Sequence, residues 1–190
     1  MAADAGALLT PLADDIVHLE PLGEQHRDGL RAACSDDEDF WDVYPRNFGA
    51  GAFDASFDQM QADRTRMPFA LFAGGVLIGM SGYLGIDGAN GVVEIGGTYL
   101  TRSARGTGLN RRFKDLLIDH AFACGIRRIQ LKVDARNIRS QAAVRKLGAR
   151  EEGILRAERI TWTGYVRDTV IFGLLREDWA AVRDRTPPAS

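Results

Sequence analysis

Residues 99–119, Y-L-T-R-S-A-R-G-T-G-L-N-R-R-F-K-D-L-L-I-D, constrain the fold more than any other stretch of this chain. An apolar strand runs into a turn built on Arg105-Gly106-Thr107-Gly108, and an amphipathic helix leaves that turn. Leu109, Phe113, Leu116, Leu117 and Ala121 recur at helical spacing across 108–124, and Gly125 closes the helix. A turn of this shape aims several backbone N–H groups at one point beside the positive end of the helix macrodipole, which makes an anion seat. It is not a phosphate loop of the Gly-x-x-x-x-Gly-Lys-Ser/Thr type. Nor is it a dinucleotide fingerprint, because position 111 carries Arg rather than a third glycine. Taken alone, the two glycines also suit a tight strand-to-helix connection with no ligand.

Around this unit the pattern places a first strand at 16–22, helices at 24–34 and 54–66, and strands at 69–73, 76–84 and 92–100. Gly74-Gly75 and the segment 87–91 supply the turns between those strands. A buried strand at 128–133 follows. Next comes a helix at 137–147, opened by Asn137 as N-cap and closed by Gly148. Strands at 149–159 and 166–175 pair as a hairpin through Thr163-Gly164. The order β-α-α-β-β-β-α-β-α-β-β predicts a mixed α/β (α+β) fold, a mostly antiparallel central sheet of about seven strands flanked by helices. A chain of 190 residues suits one domain, expected at 12–180, with 1–11 and 183–190 as flexible ends.

A net charge of −2 does not favour a nucleic-acid partner, and no apolar run is long enough to cross a membrane. The N-terminus lacks the basic region of a signal peptide. Cys34 and Cys124 lie far apart with no Cys-x-x-Cys partner, so neither a disulfide framework nor a zinc site is expected, and a reducing cytoplasm fits. His18, His26 and His120 form no ligand pattern, and no metal is assigned.

The motif Arg-x-x-Gly-x-Asn (Arg105, Gly108, Asn110), preceded by Glu94-Ile95-Gly96 and followed by Asn137-Ile138-Arg139-Ser140, resembles the GNAT superfamily of acyl-coenzyme A-dependent N-acyltransferases. The order and spacing are most similar to the branch of ribosomal-protein N-terminal acetyltransferases of the Rim type, and the resemblance spans about 12–179. Asn110 departs from the glycine or alanine common at its position. The resemblance implies a GNAT-like sheet splayed between its fourth and fifth strands, with acetyl-CoA as co-substrate. The N–H groups of Arg105, Gly106, Thr107, Gly108, Leu109 and Asn110 would then cradle the pyrophosphate. Tyr99, Leu100 and Thr101, with Arg102 beside them, would border the pantetheine arm. Asn137 would reach that arm, and Ser140 would return a proton to the departing thiolate. Read without the family, Asn137 is a helix cap and Ser140 an exposed or capping hydroxyl.

The reaction so implied is acetyl transfer to a primary amine by direct attack, above all to a protein or peptide N-terminus. The alternatives are a small-molecule amine (amino acid, polyamine or antibiotic) and a non-catalytic coenzyme A-binding or sensing module. Glu94 interrupts an apolar strand and is the candidate base, with Glu158 as a second carboxylate; simple alternation would instead turn Glu94 to water. Trp41 and Tyr44, with Phe40 and the acidic run 36–39, are candidates to border an amine, or else a hydrophobic plug with a solvated acidic face. Trp162, Gly164 and Tyr165 would form the opposite wall. Arg111, Arg112 and Lys114 are placed to meet the ribose phosphate of the coenzyme, though a charge cluster on an exposed turn requires no ligand. A monomer or homodimer is expected.

Overall fold

The computed structural model describes residues 4–35 and 37–184. Eight strands form one sheet: β1 Leu12–Ala13, β2 Val17–Pro21, β3 Arg66–Ala73, β4 Val76–Asp87, β5 Val92–Leu100, β6 Arg128–Asp134, β7 Arg150–Ile160 and β8 Val166–Leu175. Their spatial order is β1-β2-β3-β4-β5-β6-β8-β7. Every neighbouring pair is antiparallel except β5 and β6, which run parallel and pair only over Val92–Glu94 and Arg128–Gln130. Beyond Glu94 the two strands part. This is the mixed α/β sheet that the pattern predicts, opened between the fourth and fifth of the strands read from sequence.

Alternation along the strands buries a different set of residues on each face. Val17, Leu19, Phe69, Leu71, Tyr83, Val93 and Ile95 pack with Phe113 and Leu117 of helix α3 (Leu109–Ala123) and Val144 of α4 (Ile138–Lys146). Trp179 and Val182 of α5 (Arg176–Arg183) complete that core. On the other face Ala70, Met80 and Tyr99 meet Leu30 and Cys34 of α1 (Arg27–Ser35), Phe53 and Phe57 of α2 (Phe53–Ala62), and Trp41. Each large apolar side chain so buried contributes roughly 1.5–3 kcal/mol, so both helical layers are held by several such anchors.

Near its C-terminal end β5 carries a bulge. Met80 pairs with Tyr99 but Gly82 pairs with Gly96, so an extra residue enters β5 between them. The bulge turns Thr98 to the same face as Ile95, toward α3, and leaves Glu94 on the α1/α2 face.

Three features depart from the sequence reading. Helix α5 was not expected, because eight residues with two buried apolar positions give too short a period to read. Residues 5–8 form a helical turn, Leu8 is fully buried, and Leu12–Ala13 pairs with β2. Within 4–11, expected as part of a flexible end, the structure thus shows a helical turn anchored by Leu8 and by the Asp4 N–H, which donates to Cys124 O at 3.0 Å. Residues 1–3, 36 and 185–190, which include parts of both expected ends and of the acidic run, lie outside the described residues.

Candidate active site

The parting of β5 from β6 opens a cavity of about 430 Å³ that passes through the sheet. One mouth is bordered by Gly106, Asn110, Asn137 and Ser140, and the other by Arg66, Glu94, Arg159 and Arg167.

The first mouth is the glycine turn. Gly106 and Gly108 adopt φ of +78° and +88°, and a Cβ built on either would meet no atom within 4 Å. Both therefore combine a left-handed backbone with open space above it, the geometry a phosphate needs to come close to main-chain N–H groups. Gly108 is the N-cap of α3 with no side chain capping it. Among the described residues the N–H groups of Gly106, Thr107, Gly108 and Asn110 find no backbone acceptor, whereas that of Arg105 donates to Arg102 O at 3.3 Å. The free donors thus begin at Gly106, one residue later than the resemblance implies. The Leu109 N–H has only a 3.5 Å contact with the Thr107 hydroxyl. Asn110 Oδ1 is buried without a partner, a polar group left for something else to satisfy.

Arg105 acts through its side chain. Its guanidinium pairs with the buried Asp37, donates to Leu100 O at 2.9 Å through Nε, and lies 3.7 Å over the Phe40 ring. It ties the turn to the segment that closes the α1/α2 face. Arg102, largely exposed, reaches the same Asp37 at 3.4 Å.

Thr101 N–H donates to Ile78 O on β4 at 2.8 Å, so by strand alternation Leu100 turns its N–H and C=O groups toward the gap. Two carbonyls on this edge are already occupied, Thr98 O by the Tyr44 hydroxyl and Leu100 O by Arg105. The Leu100 N–H remains as a donor at the gap. Burial pushes the Tyr44 phenol up, which keeps it a neutral donor.

Asn137 caps α4 by accepting the Ser140 N–H at 3.0 Å, and both residues also border the cavity. The cap and the cavity are thus compatible, and the Ser140 hydroxyl has no partner among the described residues. Glu94 sits half-buried on the α1/α2 face with Lys132 Nζ 3.6 Å away. A Cβ at Gly96 would lie 2.9 Å from its carboxylate, so that glycine is what gives Glu94 room. Glu158 accepts from the Thr169 hydroxyl at 3.1 Å and faces Arg159 Nε at 3.6 Å, close to the site but outside the cavity lining.

Other expected positions fall elsewhere. Trp41 is fully buried and stacked on Tyr99 with centroids 4.7 Å apart, so it is a plug under the loop and lines no groove. The Tyr99 side chain is equally internal, donating to Ala33 O at 2.7 Å. The cations meant for a ribose phosphate are engaged: Arg111 with Asp115 at 2.6 Å, and Arg112 with Asp14 and Asp15 at 2.9 and 3.1 Å.

Lys114 is buried on the inner side of α3, where its Nζ meets the Thr98 hydroxyl at 2.6 Å and the Ser81 hydroxyl at 3.2 Å. Among the described residues no carboxylate pairs with it. Burial lowers its pKa to about 7. The helical spacing already placed it three and four residues before Leu117 and Ile118 on the packing face, a signal overlooked because lysine suggests an exposed position.

The acetyltransferase (GNAT) domain family matches residues 17–150 of this chain. The chain belongs to the GNAT acetyltransferases. It is therefore an acyltransferase of a family that uses acetyl-CoA, and the splayed sheet with its glycine turn is that family's arrangement. A GCN5-related N-acetyltransferase from Brucella melitensis is similar over 97% of this chain and 86% of that one, with 27% identity and a TM-score of 0.88. A probable acetyltransferase of the GNAT family from Chromobacterium violaceum matches 95% of this chain and 92% of its own, at 27% identity and a TM-score of 0.87. Mycobacterium smegmatis RimJ in complex with CoA-disulfide shares the fold, with 20% identity, a TM-score of 0.75 and coverage of 95% and 89%.

Among the described residues no three His, Cys, Asp or Glu side chains are grouped to hold a metal, and no helix is long and apolar enough to cross a membrane.

Proposed function

We propose that this protein transfers the acetyl group of acetyl-CoA to a primary amine by direct attack. The observation that carries the reading is the single cavity joining the free N–H groups of the glycine turn to the Glu94 carboxylate through the open edge of β5. Acetyl-CoA supplies an activated acetyl thioester. Gly106, Thr107, Gly108 and Asn110 bind its pyrophosphate through main-chain N–H groups at the start of α3, where the macrodipole favours negative charge. The Leu100 N–H at the open edge of β5 orients the pantetheine arm and the thioester carbonyl and holds the developing oxyanion. Glu94 takes a proton from the substrate ammonium, directly or through one water. The Ser140 hydroxyl donates a proton toward sulfur.

For the acceptor, the likeness to the Rim branch speaks for a protein or peptide N-terminus. A specific contact favours the second reading, a small-molecule amine. Trp162 Nε1 donates to Trp41 O at 2.9 Å, and Arg136 both stacks on Tyr165 at 3.7 Å and reaches Asp42 O at 3.1 Å. These contacts tie the tip of the β7–β8 hairpin to the 38–43 turn, whose Phe40 and Val43 line the cavity. An acceptor that needed the hairpin and the turn to part would have to break them, and a small amine would not.

The test is a thermal-shift titration with acetyl-CoA, coenzyme A and ATP, followed by thiol release with a panel of amines. A ligand that binds only the native state at 100 times its Kd stabilises it by about 2.7 kcal/mol. Stabilisation by both coenzyme forms without ATP, plus amine-dependent thiol release that Glu94→Gln lowers, is expected. Coenzyme binding with no turnover on any amine would instead leave a binding or sensing module.

A further inference from the structure

The acceptor mouth of the cavity holds an excess of positive charge that the protein does not neutralise. Arg159 and Arg167 are directly opposed across the β7–β8 pair, a placement in which like charges repel. Arg167 is only 5% exposed, and its one hydrogen bond is from Nε to the Thr169 hydroxyl at 2.9 Å; among the described residues no carboxylate lies within salt-bridge distance of it. The nearby Asp134 is committed to Arg136 at 2.8 Å. Across the mouth Arg66 stands level with Glu94 through Leu84, on the same face of the sheet, and its nearest carboxylate is Asp63 at 3.7 Å. Arg46, bordering the same cavity, shares Asp63 at 3.9 Å and has its other guanidinium nitrogen buried with no partner, while Arg159 faces Glu158 at 3.6 Å, so five cations meet three carboxylates. Lys132 completes the ring and shares Glu94. Burial lowers the pKa of both Arg66 and Arg167, which marks charges taken out of water without full compensation.

An ammonium substrate with no other charge would be repelled by this ring. One that brings its own anion would be drawn in by it and turned so that its amine meets Glu94, a carboxylate that lines the cavity between Arg66 and Lys132. Resting on the acetyl-transfer reading above, we propose that the acceptor is a small amine carrying a carboxylate or phosphate group, which Arg66 and Arg167 bind while Glu94 receives the amine. The guanidinium fork matches either anion bidentately, so the two groups share one recognition chemistry.

The experiment is calorimetric titration of the coenzyme A-saturated protein, in which the glycine turn is already occupied, at fixed ionic strength. O-phosphoethanolamine, β-alanine and ethanolamine are the three probes, and thiol release from acetyl-CoA is measured with the same compounds. Phosphate and carboxylate amines should bind at least tenfold more tightly than ethanolamine, and their ratio tells which anion the site prefers. Arg167→Gln and Arg66→Gln should each remove most of that preference and raise KM far more than they lower kcat. Unchanged coenzyme A affinity in both variants shows that they are folded. Arg167→Lys should recover less than half of the lost binding energy, because it restores charge without the fork. Equal binding of ethanolamine and its phosphate ester, or an unaltered preference in both glutamine variants, would overturn the proposal, as would a peptide N-terminus outcompeting both anionic amines. Selective binding of the anionic amines without thiol release would refute acetyl transfer and leave the anion site standing. Thiol release from all three amines alike would do the reverse.

Discussion

Replacing Lys114 with methionine removes a buried ammonium and keeps most of the volume, and its effect on stability should depend on pH in a calculable way. The ordinary lysine pKa is 10.5, while burial against α3 lowers this one to about 7. Between those values the unfolded chain holds a proton that the native protein has released, so unfolding takes up a proton and wild-type stability rises with pH. Below pH 7 both states are protonated and the native state carries the full burden of the buried charge. Weighing the two protonation equilibria gives a destabilisation of roughly 5 kcal/mol at pH 6 and roughly 2 kcal/mol at pH 9. Methionine has no such dependence. Losses that do not titrate, such as the contacts with Ser81 and Thr98, cancel in the comparison between pH values, and those two hydroxyls keep each other at 2.8 Å. The stability of Lys114→Met relative to wild type should therefore improve by about 2–3 kcal/mol from pH 9 to pH 6. Urea unfolding of both proteins at several pH values, at constant ionic strength, measures it. Parallel stability curves, agreeing within about 0.5 kcal/mol, would refute the reasoning and mean that the native protein keeps this lysine charged.

Gly108→Val should weaken coenzyme A binding by at least about tenfold, because a branched side chain is strained at positive φ and fills the phosphate space; calorimetry with coenzyme A decides, and unchanged affinity removes the turn from the site. Glu94→Gln should depress turnover more at pH 6.5 than at pH 9, where more of the amine is already neutral, and an equal loss at both would give Glu94 a structural role. Asp37→Ala should destabilise the fold by about 3–5 kcal/mol, since it leaves the Arg105 guanidinium unpaired beneath the turn. A loss under about 1 kcal/mol in thermal or urea unfolding would show that the pair is no more than a surface ion pair.

What the sequence disclosed is what depends on local pattern. The strand, glycine turn and amphipathic helix at 99–119 carry their own periodicity, and Asn137 and Gly148 mark the ends of α4 by cap chemistry alone. Elements whose stability comes from distant partners were harder to read. Helix α5 exists because Trp179 and Val182 find the α3 core, and the turn at residues 5–8 because Leu8 does. The same holds for side chains at the site. Trp41 and Tyr44 look equivalent three residues apart, yet one stacks on Tyr99 and the other reaches Thr98 O, and only packing separates them. Arg167 shares one face of β8 with Thr169 and Ile171, a spacing that from sequence reads as an ordinary strand position, and its lack of a carboxylate partner among the described residues is a fact of the sheet, not of the chain.

The two mouths of the cavity differ in how they are charged, and the difference follows from how each is built. At the glycine turn the positive potential comes from main-chain N–H groups and a helix dipole, while the nearby Arg105, Arg111 and Arg112 are all paired with carboxylates. Fixed main-chain donors, not those three side chains, thus face the open space above the turn, where on the proposed reading a diphosphate sits. At the acceptor mouth the arrangement is reversed. The cations there outnumber the carboxylates beside them: Asp63 faces Arg66 at 3.7 Å and Glu158 faces Arg159 at 3.6 Å, Glu94 is shared with Lys132, and Arg167 has no carboxylate within salt-bridge distance among the described residues. On the proposed reading an acceptor that lacks an anion meets net repulsion there, and one that carries an anion is held by the guanidinium groups with its amine toward Glu94. Selection among amines then rests on charge balance in a low-dielectric pocket, so it should weaken as ionic strength rises only to the extent that the mouth is open to water.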